Sequence, residues 1–240
     1  MLDVLDGDSI AVERDGARVE VRLAGINAPE ADECRGDASR DMLVGLVGDG
    51  PATLVEAADQ DNEDQFGRLL RNVWVDGAWL NHVMVERGGA LAIQTGASDE
   101  VALGNAEAAA WESGLGMWSE TACGSFPAGM VITDVRYDPP GRDRDNTVEE
   151  FVLIANEGDS AIDVTGWILR DESSRHRYRF PGLVMESGDG LRVRTGCGSD
   201  EGRDLYWCAG DPVWSNGGDT VLLQTPEGTV VDRLRYAGDF

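Results

Sequence analysis

The chain of 240 residues carries 45 acidic side chains against 20 basic ones, a formal net charge of −25, with 42% hydrophobic content and 31 glycines. That length and composition suit one large or two ordinary loop-rich domains, and acids interleaved with strand-like apolar runs exclude a disordered acidic tail. No run reaches the roughly 18 apolar residues that span a bilayer, and neither half is a basic nucleic-acid platform: residues 1–120 hold 24 acids and 8 arginines, residues 124–240 hold 21 and 12.

In chain order, Leu2 and Val4 read as the end of a strand that has been trimmed at its start, with no charged and apolar leader ahead of it. Residues 4–14 and 18–26 alternate apolar and polar around Asp15-Gly16, which predicts a β-hairpin stopped by Pro29. Residues 37–47 have an acidic start and helical apolar spacing. Two strands follow at 52–58 and 69–75, with Asp76-Gly77 as the next turn. A helix over 80–87 stops at Gly88-Gly89, a short strand covers 90–93, and an alanine-rich helix covers 99–113 before Gly114. Strands with interposed helices predict a compact α+β barrel. Past Cys123 no helical period recurs; short strand patterns at 130–137, 150–156, 167–170, 176–180, 190–195, 220–224 and 230–236 predict an all-β sandwich. The domains are therefore set at 1–121 and 126–240.

All 20 basic residues are arginine. A surface this acidic repels itself in dilute salt, whereas near 1 M the Debye length falls to roughly 3 Å, so the composition suggests a salt-loving source. The four cysteines, Cys34, Cys123, Cys197 and Cys208, form no CxxC pair and allow three disulfide connectivities. Cys197 and Cys208 flank a Gly/Asp-rich loop that they could close, which would leave Cys34 to Cys123; four buried thiols are the alternative. Two disulfides would place the protein outside the cytoplasm, at the cell surface or beyond it.

Hydrolysis of a phosphodiester needs a Lewis acid, a base for water and positive charge where the transition state gathers negative charge. The first 70 residues offer each. Asp8 beside a turn and Asn27 at a strand end present oxygen to a hard cation such as Ca²⁺. Glu30 is the candidate base, and Arg22 and Arg68 carry guanidinium forks that match phosphate oxygens. The loop 142–150 reads as solvated rather than cation-binding, Trp167, Trp207 and Trp214 as packing residues, and His82 and His176 as structural.

The order of these motifs closely resembles the thermonuclease (micrococcal nuclease) family, an OB-fold barrel with three helices. The matching pieces are Val4-Leu5-Asp6-Gly7-Asp8-Ser9, Arg22 to Glu30 (RLAGINAPE), Phe66-Gly67-Arg68 with Asp76-Gly77 after the next strand, and Gly116-Met117-Trp118-Ser119-Glu120. The resemblance implies Asp8, Asn27 and the backbone carbonyl of Ala28 as calcium ligands and Glu30 as general base. Arg22 and Arg68 would act on the phosphate, and Asp6 would support the turn. It implies DNA and/or RNA as substrate, 3′-phosphate products, and endo- or exonucleolytic cutting. Asn27 stands where the usual pattern has aspartate, so one charge fewer faces the metal and weaker affinity is expected; Phe66 stands where tyrosine is common.

The second half resembles a lamin-tail domain, an immunoglobulin-like sandwich, through Glu150-Phe151-Val152 with Asn156-Glu157-Gly158, Val164 to Trp167, Phe180-Pro181-Gly182, Val213 to Val221 and Gly228 to Asp232. Such a domain implies an interaction module of unspecified partner. The combined expectation is a monomeric calcium-dependent nuclease joined to that module, with a non-catalytic scaffold bearing a decayed nuclease site as the alternative.

Overall fold

A computed structural model of the chain describes residues 3–48, 50–58, 60–173 and 175–238. It separates into two compact units, Met1–Cys123 and Gly124–Phe240. The strand end expected from Leu2 onward falls partly outside the described residues, which begin at Asp3.

In the first unit, β1 (Asp3–Val4), β2 (Ser9–Arg14) and β3 (Ala17–Leu23) run as an antiparallel meander, with Ser9 opposite Arg22. Asp15 and Gly16 both take positive φ, the conformation that a two-residue hairpin turn demands. Strand β4 (Ile26–Asn27) leaves this sheet, and helix α1 (Gly36–Val47) follows. Strand β5 (Thr53–Glu56) pairs with β6 (Leu69–Val75), which adds in parallel to β3 and also pairs with β7 (Ala78–Trp79). Helix α2 (Leu80–Glu86) ends where Gly88 turns left-handed and the N–H groups of Gly88 and Gly89 reach the carbonyls of Val85 and Met84. Strand β8 (Leu91–Ala92) returns to pair with β4, and α3 (Glu100–Glu112) closes the unit. Its core is built from Ile10, Val21, Leu23, Ile26, Leu43, Val73, Leu80, Met84 and Leu103.

The helices and sheets of this unit agree with the expected OB-fold, while closure of its barrel is not seen among the described residues. Among the described residues the ladder runs β1-β2-β3-β6-β5 and stops at both edges. The edge strand β5 has four residues and is largely exposed. A cleft of about 510 Å³ lies between Val12, Glu13 and Arg14 of β2 and Leu54 and Glu56 of β5.

In the second unit, one sheet has the order β16 (Asp204–Tyr206), β15 (Gly190–Arg194), β10 (Phe151–Asn156), β9 (Met130–Arg136). The other has the order β13 (Arg177–Arg179), β12 (Ile168–Arg170), β17 (Gly218–Gln224), β18 (Val230–Ala237). A ribbon of β11 (Ile162–Asp163) and β14 (Val184–Met185) accompanies them. Both sheets give alternate residues to one core: Val152, Ile154 and Val193 from the first, Leu169, Val221 and Leu223 from the second, with Trp167 and Trp214. Trp207 packs partly buried against it. Strands β11, β14 and β16 have two or three residues each, too short to show an alternation in sequence.

Disulfides join Cys34 to Cys123 in the first unit and Cys197 to Cys208 in the second. His82 stacks on Trp79, and His176 Nδ1 lies 2.6 Å from Asp171 Oδ2.

Asp219 is the conspicuous buried acid of the second unit. Its carboxylate accepts backbone N–H groups of Thr220 at 2.7 Å and of Glu172 and Ser215 at 3.3 Å. Burial first, and the neighbouring Asp171 charge second, push its pKa up to about 7 from an ordinary 3.8. Between those values the fold holds a proton that the unfolded chain has released, so stability falls as pH rises from about 4 to about 7. Asp219→Asn is expected to flatten that segment of the curve in urea titrations at successive pH values; an unchanged slope refutes this account.

Candidate active site

The β2–β3 hairpin sets the site. Asp6 Oδ1 accepts the backbone N–H of Asp8 at 3.0 Å, which curls the chain just before β2. Gly7 lies at the crest, where a Cβ would fall 2.0 Å from Ser39 Oγ and 2.7 Å from Ala28 Cβ. Asp8 is thereby turned inward to 5% exposure. Its Oδ2 accepts the Ala28 N–H at 2.6 Å and pairs with Arg22 Nη1 at 2.9 Å, while Oδ1 accepts Ser9 Oγ at 3.0 Å. Burial pushes the Asp8 carboxyl up to about 6, against the opposing pull of Arg22.

Arg22 holds two oxygens at once: its Nη2 donates to Asn27 Oδ1 at 3.0 Å while Nη1 faces Asp8. Arg68, the residue just before β6, donates through Nη1 to Ser9 Oγ at 3.1 Å and through Nε to Asp64 Oδ2 at 2.7 Å. Slight burial opposes ionisation of Asp64, but hydrogen bonds from the Arg68 and Phe66 backbones and the Arg68 side chain outweigh it and hold its pKa below the ordinary value. Phe66 is 74% exposed, with the Arg68 guanidinium 5.5 Å from its ring centre.

Asp8, Arg22, Asn27, Ala28 and Arg68 thus form one hydrogen-bonded network. Glu30 sits outside it, exposed on the next loop; among the described residues its carboxylate makes no hydrogen bond to the network. That loop is a tight turn in which Glu33 N–H reaches the Glu30 carbonyl at 2.9 Å and Cys34 is bridged to Cys123.

Four residues of the site carry no assignment from sequence. Ser9 and Asp64 link and orient Arg68. Fully buried Asn81 donates to the carbonyls of Ala24 and Arg71 at 2.8 and 3.1 Å and accepts Val73 N–H at 2.9 Å, fixing the 24–27 segment to α2. Fully buried Glu107 accepts Ala92 N–H at 2.7 Å and so secures β8, the strand on which Asn27 is paired. Ser9 ends the motif that drew attention to Asp8, and Asp64 lies two residues before Phe66-Gly67-Arg68; Asn81 and Glu107 look like ordinary helix residues until burial is known.

Among the described residues no three His, Cys, Asp or Glu side chains gather as a metal cluster. The candidate set is instead one carboxylate, one amide and one backbone carbonyl. Asp8 Oδ2 and Asn27 Oδ1 already converge on a single cationic group, the Arg22 guanidinium. Such all-oxygen donors fit a hard divalent cation.

Two catalogued families cover the chain: "Staphylococcal nuclease homologue" over residues 20–120 and "Lamin Tail Domain" over 125–238. A protein called "Uncharacterized endonuclease" from Escherichia coli O157:H7 is 34% identical over 118 residues, 49% of this chain and 74% of that protein. A protein of the same description from Haemophilus influenzae is 29% identical over 121 residues, 50% of this chain and 65% of its own length. "Protein ParB" of Escherichia coli is 37% identical over 73 residues, 30% and 39% of the two chains. The chain belongs to the staphylococcal nuclease family, with a lamin-tail domain following the nuclease-like one.

Proposed function

We propose that residues 1–121 hydrolyse phosphodiester bonds of DNA and/or RNA in a calcium-dependent reaction that leaves 3′-phosphates, and that residues 126–240 serve as an interaction module. The observation that carries this reading is the single network that gathers Arg22, Arg68, Asp8 and Asn27. Asp8, Asn27 and the Ala28 carbonyl would hold Ca²⁺. Bound there, the ion supplies Lewis-acid polarisation of a phosphoryl oxygen.

Glu30 takes a proton from water as the water oxygen bonds to phosphorus. Arg22 and Arg68 donate to the non-bridging oxygens as charge builds, and the bond to the 5′ oxygen breaks, the proton for that oxygen coming from solvent. Asp64 and Ser9 aim Arg68, and Asn81 and Glu107 keep the Arg22–Asn27 segment in register. Two disulfides support an extracellular or cell-surface setting, and the acidic, lysine-free composition supports a high-salt habitat. A monomer is the working assembly.

Removing calcium with a chelator is expected to abolish degradation of DNA and RNA, with activity returning on re-addition. Cleavage that persists after chelation, or none under any salt and calcium condition, refutes the reading.

A second expectation concerns Gly36. A Cβ at this position would lie 1.9 Å from the Glu30 carbonyl oxygen. Gly36→Ala is therefore expected to displace Glu30 and lower kcat by about a hundredfold, read by steady-state cleavage alongside circular dichroism. Parental turnover in a folded variant counts against Glu30's placement.

A further inference from the structure

Charge counts hide an arginine and aromatic row on the second unit. Strand pairing sets Arg136 of β9 and Arg194 of β15 on either side of Phe151 in β10, and Arg194 opposite Tyr206 of β16. The sequence across the sheet is therefore Arg136, Phe151, Arg194, Tyr206. Phe151 and Leu153 point away from the core, since Val152 and Ile154 between and after them are buried in it. The guanidinium of Arg192 lies 4.7 Å from the Phe151 ring centre, and those of Arg136 and Arg194 lie 5.9 Å from it. Arg192 and Arg194 share one carboxylate, Asp204, while Arg136 faces Glu149 at 3.5 Å and Arg203 pairs with Asp189. Beside the row a groove of about 250 Å³ is lined by Leu153 and Ala155 together with Arg192, Arg203 and Asp204.

We propose that this sheet face binds single-stranded nucleic acid, the polymer that the nuclease reading assigns as substrate; the proposal rests on that reading for its partner. Guanidinium planes and aromatic rings offer stacking surfaces to unpaired bases, and the same guanidinium groups offer paired donors to phosphates. The groove sets apolar Leu153 and Ala155 beside the Arg192 and Arg203 guanidinium groups, with Asp204 also in its lining, which offers a base an apolar surface and its phosphate two donors. A duplex keeps its base faces stacked inside, so it gains the phosphate contacts of the row without the stacking. Stacking also survives the salt that screens repulsion from the rest of this acidic chain.

The test uses the full chain carrying Glu30→Gln, in chelator, titrated against a fluorescent oligothymidine and read by anisotropy. Phe151→Leu and the double change Arg136→Gln with Arg192→Gln are each expected to weaken binding about tenfold. Arg136→Gln alone, at a side chain 40% exposed, is the mild variant whose folding is not at issue; it is expected to reduce the salt slope of binding by about one. Equal affinity of all variants overturns the proposal. So does a hairpin duplex bound as tightly as the single strand, or poly-glutamate competing as well as oligothymidine, which would mark a generic polyanion site. Because the readout involves no cutting, failure of the nuclease reading appears only as absent cleavage by the parent, and failure here only as variant-independent binding.

Discussion

Glu30→Gln is expected to lower kcat for phosphodiester cleavage by about 10²–10⁴-fold, the usual contribution of a positioned general base, with the unfolding midpoint almost unchanged. Glu30 is exposed and bonds to nothing in the Asp8–Arg22–Arg68 network. The amide keeps the shape of the side chain and removes only the ability to accept a proton. Arg22 and Arg68 remain in place in the variant, so substrate affinity is expected to hold and the loss to fall on kcat. A variant that cuts at the parental rate would move the base to another residue and remove the main chemical argument for this site.

Opening the Cys34–Cys123 bridge, by Cys34→Ser with Cys123→Ser, is expected to cost about 4–5 kcal/mol of stability in the first unit. The bridge closes a sequence separation of 89 residues, and chain entropy makes long closures the more stabilising. Cys197 and Cys208 are only 11 residues apart, so their removal is expected to cost less, about 3 kcal/mol or below. Denaturant unfolding of each double variant measures the contrast. The first pair also bears on catalysis, because Cys34 anchors the turn that begins at Glu30. Its loss is expected to depress cleavage even where the unit stays folded. If both bridges contribute equally, the closure argument is wrong for this chain.

The sequence was most readable where structure is local. Asp15-Gly16 and Asp76-Gly77 adopt the positive φ values that their turns need, and α2 and α3 stop at Gly88 and Gly114 as their composition suggests. Legibility failed where a partner lies far along the chain. Closure of the barrel depends on edge strands finding one another far along the chain, and among the described residues β1 and β5 show no pairing with each other. Strand β16 exists through a parallel pairing with β15 across the Cys197–Cys208 loop, which no alternation announces.

The site divides in the same way. Asp8, Arg22, Asn27 and Arg68 belong to recognisable motifs, but the hydroxyl that joins them is Ser9, 59 residues from Arg68. Asn81 and Glu107 matter because they are buried, a property of the fold rather than of the residue. The Arg136–Phe151–Arg194–Tyr206 row is absent from any charge count because its members come from four strands. A domain with 21 acids and 12 arginines can still gather four of those arginines on one face.

The position of Cys123 sets a rule for cutting the protein into its parts. The nuclease family match ends at residue 120, and a shortened chain designed from that boundary would leave Cys34 as a lone thiol four residues from Glu30. The two units divide after Cys123, so three more residues keep the bridge intact. An isolated first unit should therefore run through Cys123 and be produced under oxidising conditions; otherwise poor activity would reflect the missing crosslink rather than the missing lamin-tail domain.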